Sequence, residues 1–166
     1  ISDSGETQVI ESDNIIIATG ARARTIPGIE VDGERVMTYR QAIVLRELPQ
    51  SVVVVGAGPI GMEFAHVWRS YGAQVTVVEM LPRVVPLEDE AVSEQVARGF
   101  KRRKVNLLTN ARVEGVEQTE GGVKVTVSSD DEQQVLEAER VLVAIGVRPN
   151  SEGLGLEAVG VETDHG

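Results

Sequence analysis

The sequence predicts an α/β fold: a parallel βαβαβ sheet, then an antiparallel three-stranded meander as the crossover to a returning strand. Three observations carry that expectation. Val52–Val55 and Val75–Glu79 are apolar runs of strand length, each followed by a segment with helical spacing. From Ala111 to Ala138 the pattern changes to short alternating runs with no helix between them. Arg140–Ile145 (RVLVAI) then restores a fully apolar strand, expected beside the first one.

Taken in order, Thr7–Glu11 alternate weakly, and Asn14–Thr19 (NIIIAT) read as a short buried strand ending at Gly20. ARARTIPGIEVDGERV, which follows, reads as loop, with Pro27-Gly28 and Asp32-Gly33 as turn signals. Tyr39–Arg46 predicts a short helix closed off before Pro49. After the strand Val52–Val55, Met62–Tyr71 is helical and Gly72 stops it. Asp89–Arg103 is the second helix, with its apolar stripe at Val92, Val96 and Phe100. Glu88, Asp89 and Glu90 stand at its start and the basic run Lys101–Lys104 at its end, which complements a helix dipole. Val105–Leu108 is the third strand. Ala111–Gln118, Val123–Ser129 and Gln134–Ala138 make the meander, with Val123, Val125 and Val127 facing one way and Glu120-Gly121-Gly122 as a turn.

The chain's 166 residues suit one domain with a real core. Lys and Arg number 16 against 26 Asp and Glu, a net charge of −10. Such a surface repels a duplex and an anionic bilayer, so neither nucleic acid nor membrane is an expected partner. No apolar run approaches the roughly 20 residues of a membrane span. There is no cysteine, hence no disulfide or thiol chemistry within this chain. His66 and His165 lack ligand-like spacing, so no metal site is expected, and His66 reads as a helix-surface residue.

Gly56-Ala57-Gly58-Pro59-Ile60-Gly61 fits G-x-G-x-x-G between a strand and a helix. Gly56 permits the tight turn, Gly58 lets the backbone approach a phosphate, and Gly61 lets the helix lie close to the strand. Unpaired N–H groups at the helix start favour a pyrophosphate, and Pro59 suits the first helical position because it lacks one. Glu79 follows Gly61 by 18 residues at the tip of the second strand. A carboxylate there accepts hydrogen bonds from the adenosine ribose hydroxyls, and the whole reads as a Rossmann-like NAD-binding domain. Glu79 also selects against a 2′-phosphate. At ~4 Å and an effective dielectric of about 20, each pair of unit charges costs roughly 4 kcal/mol. Met80 and Leu81 come next, and Arg83 lies past the expected contact. NAD is the expected cofactor.

With its neighbours, this stretch resembles the pyridine nucleotide–disulfide oxidoreductases, and within them the dihydrolipoamide dehydrogenases. IIIATGARARTIPGI, VVVVGAGPIGMEFAHVWRSYGAQVTVVEMLPRVVPLEDEAVS and VLVAIGVRPNSEGLGLEAVGVETD carry the likeness in that order. ATG (Ala18–Gly20) and AIGVRPN (Ala144–Asn150) mark that family's two passages between flavin and nicotinamide domains. The resemblance implies an enzyme with FAD, NAD and dimer-interface domains, in which hydride passes from flavin to NAD⁺ after dihydrolipoamide reduces a disulfide. It implies a cytoplasmic homodimer, with a 2-oxo acid dehydrogenase complex as one setting, and it places Ala18–Gly20 near FAD.

Residue by residue, Gly56, Gly58, Pro59 and Gly61 match the pyrophosphate turn and Glu79 the ribose carboxylate. Glu63 matches a glutamate at the nicotinamide end, and Ile60 an apolar residue near the nicotinamide ring. Met80 and Val113 fall where adenine is contacted, Val113 through its backbone, and Gly146 falls where the returning strand meets the cofactor. Plainer readings stand beside these: a solvated carboxylate for Glu63, core for Ile60, a meander position for Val113, strand-end packing for Met80. The family's C-x-x-x-x-C pair, its flavin glycine motif and its C-terminal His/Glu pair have no match here.

The expected division is therefore a flavin-domain remnant and lead-in over residues 1–46, an NAD domain over 47–146, and a lead-out over 147–166. Ile1 and Asp164-His165-Gly166 read as cuts within longer strands, which favours an excised, catalytically silent domain over a stand-alone NAD-binding or redox-sensing module. The NAD domain of a related flavoenzyme, such as mercuric reductase or an NADH oxidase, is the third reading. An orphaned NIIIAT strand is expected to pair with Thr7–Glu11 as a hairpin, burying Ile15, Ile16 and Ile17 against this domain or a second copy.

Overall fold

The computed structural model describes residues 5, 7–129 and 132–165; Ile1 and Gly166, on which the reading of the chain ends partly rests, lie outside them. The chain divides into two compact units. One is Arg22–Arg148, and the other is built from the segments up to Ala21 and from Pro149 onward.

In chain order the elements are β1 (Ala21–Ala23), β2 (Val36–Met37), α1 (Tyr39–Ala42), β3 (Ser51–Val55), α2 (Pro59–Ser70) and β4 (Gln74–Val78). There follow α3 (Glu90–Arg102), β5 (Asn106–Leu108), β6 (Arg112–Gln118), β7 (Val123–Ser129), β8 (Glu132–Ala138), β9 (Arg140–Val143), β10 (Val147–Pro149) and a 3₁₀ turn at Glu157–Val159. Five strands form the main sheet in the order β2-β9-β3-β4-β5, all neighbours parallel. β6, β7 and β8 form the antiparallel meander, and β1 pairs with β10.

Why the strands read as unbroken apolar runs is clear from the packing. Val52, Val54, Val75, Val77 and Leu142 face a core shared with Trp68, Met62, Phe64, Val96 and Phe100 of the helices. Val53, Val55, Val78, Val141 and Val143 face a second core, filled by Val113, Val123, Val125 and Val127 of the meander. Both faces are covered, so both positions of the two-residue period are mostly apolar, Gln74 and Thr76 of β4 being polar exceptions. The meander does on one face what helices do on the other.

From Tyr39 onward the expected helices and strands form with bounds shifted by a few residues, the larger shifts being α1, which ends at Ala42, and α2, which starts at Pro59. Gly72 stops α2 at φ +102°, and His66 lies on that helix's exposed surface. Acid at Glu90 and bases at Lys101 and Arg102 flank α3 as the dipole favours.

Three expectations need correction. Asn14–Thr19 is not a strand and forms no hairpin with Thr7–Glu11; Ile15, Ile16 and Ile17 are exposed, Ile16 at 90%. Strand propensity reflects fit to a pleated surface, and three isoleucines without an adjoining edge do not create one. Thr19 and Gly20 instead bond Asn150: Thr19 Oγ1 donates to Asn150 O at 2.7 Å, and Asn150 N to Gly20 O at 3.0 Å. Second, the expected loop carries a strand at each end: Ala21–Ala23 pairs with β10, and Val36–Met37 is the edge strand of the main sheet beside β9. Strands this short are too few residues to display a period. Third, α3 turns Ser93 inward with Val96, Ala97 and Phe100, while Val92 is exposed.

Candidate functional site

β3 sits at the centre of the sheet. From it the chain steps outward through α2 to β4 and through α3 to β5, while β9 returns on the opposite side. The strand order reverses at β3, and ligands of open α/β sheets bind outside the carboxyl ends of strands at such a reversal. Gly56, Glu79 and Ala144–Gly146 lie there, directly after β3, β4 and β9. Gly56 N donates to Val78 O and Ala144 N to Val55 O, each at 2.8 Å, so the turn is held between its two neighbours.

The three glycines meet different surroundings. Gly56 has φ +103°, and a Cβ there would stand 2.5 Å from Ala144 O. At Gly61 a Cβ would stand 2.0 Å from Gly56 O and 3.2 Å from a Val54 methyl. Helix and strand thus approach until a methyl cannot fit. Gly58 is the exception: a Cβ there would meet nothing within 4 Å. The missing side chain leaves open space over the turn, the shape a backbone needs to receive a phosphate.

Gly58 is the N-cap of α2, Pro59 occupies the first turn, and no side chain caps the helix. The first N–H groups of a helix have no intrahelical partner, so those of Ile60 and Gly61 have none within α2. Glu79 closes the turn from beside it. The residue is 7% exposed; its carboxylate Oε2 accepts from Ala57 N at 2.7 Å and Oε1 from Leu81 N at 2.9 Å. A carboxylate has about four acceptor positions, so both oxygens keep one for a ligand.

The structure brings Gly56, Gly58, Pro59, Ile60 and Gly61 into one turn, with Glu79 beside it through its bond to Ala57 N. Ile60 is half-buried and packs on the helix-side core, while Glu63 is exposed on α2. Met80, the residue after Glu79, is 68% exposed. Val113 puts its side chain in the meander-side core, and its strand starts beside Glu79, since Ala111 N donates to Glu79 O at 2.9 Å. Gly146 is exposed with φ +100°, and its carbonyl accepts from Arg24 N at 3.0 Å. Arg83 is turned back on its own loop, donating to Pro86 O at 3.1 Å. The loop Met80–Asp89 carries what sequence reading missed: Val85 N donates to Ala57 O at 2.7 Å, over the glycine turn. No spacing rule announces a backbone bond between a loop and a turn.

Among the described residues, no group of His, Cys, Asp or Glu suits a metal ion, and no helix is long and apolar enough to cross a membrane.

A parallel sheet with a glycine turn at its reversal and a carboxylate on the next strand defines the class, a Rossmann-like α/β domain. The family model for pyridine nucleotide-disulphide oxidoreductases matches residues 1–166, and the chain belongs to that family. It is 46% identical over 159 residues to a dihydrolipoyl dehydrogenase of Mycobacterium bovis, covering 96% of this chain and 34% of the relative. A dihydrolipoyl dehydrogenase of Chlorobaculum parvum is 41% identical over 166 residues, 99% of this chain and 35% of the relative. Among solved structures, Mycobacterium tuberculosis LpdA is similar with a TM-score of 0.78 and 39% identity, over 88% of this chain and 31% of that one. A ferredoxin reductase of Rhodopseudomonas palustris is similar at 0.75 and 29%, over 90% of this chain and 38% of that one. The chain thus spans about a third of the length of the curated relatives it matches.

Proposed function

We propose that this chain is the NAD(H)-binding domain of a flavin-dependent dihydrolipoamide dehydrogenase, which converts dihydrolipoamide and NAD⁺ to lipoamide and NADH. The observation that carries the reading is the contrast within the glycine turn. Gly56 and Gly61 are closed by the protein's own backbone, and Gly58 is open to a phosphate. NAD⁺ supplies a hydride acceptor, and everything else asked of this chain is binding and orientation.

In this reading the α2 N-terminus and Gly58 hold the pyrophosphate, and the remaining acceptor positions of Glu79 take the ribose hydroxyls. Met80 and the Val113 backbone border adenine, Ile60 and Glu63 the nicotinamide end, and Gly146 the returning strand. FAD belongs to domains outside these residues, within a homodimer, cytoplasmic and serving a 2-oxo acid dehydrogenase complex. The segments 1–46 and 147–166 are lead-in and lead-out, and residues 47–146 bind the cofactor. The relatives named dihydrolipoyl dehydrogenase support this assignment. A second reading, the NAD domain of another flavoenzyme, draws on the R. palustris reductase, whose fold is nearly as similar.

Calorimetry tests the cofactor. NADH binds and NADPH binds far more weakly; equal affinities sink the reading. Glu79→Ala narrows that gap, because it removes the ribose acceptors and the charge a 2′-phosphate would face. It also frees Ala57 N, so the ratio of affinities is the readout. With dihydrolipoamide, NAD⁺ and added FAD, the chain gives no turnover above buffer, since it brings no thiol.

A further inference from the structure

Thr38, Glu79 and Ser93 are the buried polar side chains among the described residues. Thr38 forms a capping box with Gln41, and Glu79 belongs to the glycine turn. Ser93 is 2% exposed in the first turns of α3. A serine so placed ordinarily bonds its own helix backbone. Its hydroxyl instead donates to Val84 O at 2.6 Å, in the loop that crosses the glycine turn.

The residue after Val84 explains what is being held. Val85 has φ +40°, a left-handed conformation that a β-branched residue adopts only when its surroundings force it. Ser93 fixes the preceding carbonyl. Arg83 Nη2 donates to Pro86 O and Glu88 O at 3.1 and 3.4 Å, and Glu88 N donates to Val85 O at 2.9 Å. Held this way, the Val85 N–H reaches Ala57 O at 2.7 Å, while Ala57 N donates to Glu79 Oε2, also at 2.7 Å. A peptide unit is planar and trans, so clasping the Ala57 carbonyl aims the Gly58 N–H the opposite way. That amide belongs to the open glycine.

We propose that Ser93 is a positioning residue for the dinucleotide site. Acting through Val84 and Val85, it fixes the Ala57–Gly58 peptide so that the Gly58 amide is aimed before ligand arrives. This rests on the NAD(H) reading above. Preorganisation of this kind raises affinity by cutting the ordering that binding must otherwise supply.

NADH titration, followed by energy transfer from Trp68, the chain's one tryptophan, tests it alongside thermal melting. Ser93→Ala weakens NADH binding roughly tenfold at temperatures where it is fully folded, a loss on the scale of one hydrogen bond. The NADH-to-NADPH ratio stays the same, because Glu79 is untouched. Ser93→Thr, which keeps the hydroxyl, restores affinity. A folded Ser93→Ala with wild-type affinity and a lowered melting temperature overturns the proposal, because a merely structural serine would do that. Should Ser93→Ala fail to fold, Arg83→Met loosens the same loop and must also weaken NADH; unchanged affinity there is equally fatal. Absence of NADH binding by the unaltered chain would overturn the NAD(H) reading itself, and this inference with it.

Discussion

Two helices leave the same parallel sheet at the same edge, and their beginnings differ. α2 follows β3 after three residues, starts on glycine and proline, and has no side-chain cap. α3 follows β4 after eleven residues, and its start is closed: the Asp89 side chain accepts from Ala91 N at 2.9 Å, with Glu90 in the first turn. A third set of amides makes the same point away from helices. Asp32 Oδ1 accepts from Glu34, Arg35 and Val36 N at 2.7, 2.9 and 2.9 Å, and Oδ2 from Gln118 Nε2 at 2.6 Å. Exposed donor clusters cost free energy unless something accepts from them, and this protein fills two of the three with its own carboxylates. In the remaining one, Glu79 accepts only from Ala57 N, and the helix start beside the open space above Gly58 has no side-chain cap.

The largest expected effect comes from closing that turn further. Gly61→Ala forces a methyl against Gly56 O and should cost about 2–3 kcal/mol, read by denaturant unfolding. A loss below about 0.5 kcal/mol, within the range of an ordinary surface change, would mean that helix and strand are not locked together there. Gly58→Ala sharpens the contrast. Its methyl meets no protein atom, so stability should shift by no more than about 0.5 kcal/mol while NADH affinity drops roughly tenfold or more. Equal affinity would break the comparison at its centre.

On the closed side, Asp89→Ala should cost about 1 kcal/mol in thermal or chemical unfolding, as the loss of an N-cap does. The preference for NADH over NADPH should not change. The smallest effect belongs to Asp32. Partial burial raises its carboxyl's pKa, but the three backbone donors and Gln118 outweigh that and hold it below the ordinary carboxylate value. Its stabilising contribution is therefore full above the unfolded-state value and is lost as pH falls through the folded-state value. Asp32→Asn should flatten that part of the acid limb of a stability–pH profile. An unchanged limb would show that the carboxylate's charge contributes nothing at this turn.

Much of the site was legible because each glycine's requirement is local. A positive φ, a helix against a strand and an open approach each exclude side chains, and the spacing of Gly56, Gly58 and Gly61 records all three. Glu79 was legible from its distance along a βαβ unit. Its bond to Ala57 was not, because a side chain's partner across 22 residues leaves no periodic trace. The isoleucines mislead for a related reason. Composition records a tendency to be buried, but a strand also needs a neighbouring edge, and Ile16 stands 90% exposed.

By itself the sequence determined the order of strands and helices from α1 to β9, the doubly covered sheet, the meander and the glycine turn. Those features follow from backbone sterics and from burial repeating every two or every 3.6 residues, which are short-range quantities. Tertiary structure alone decided that Val36–Met37 would edge the sheet, that Ser93 rather than Val92 would face inward on α3, and that Val85 would hold a left-handed conformation over Ala57. Each depends on a donor meeting an acceptor, or a side chain meeting a cavity, far along the chain. Such meetings are set by how the layers pack, and no local pattern encodes them.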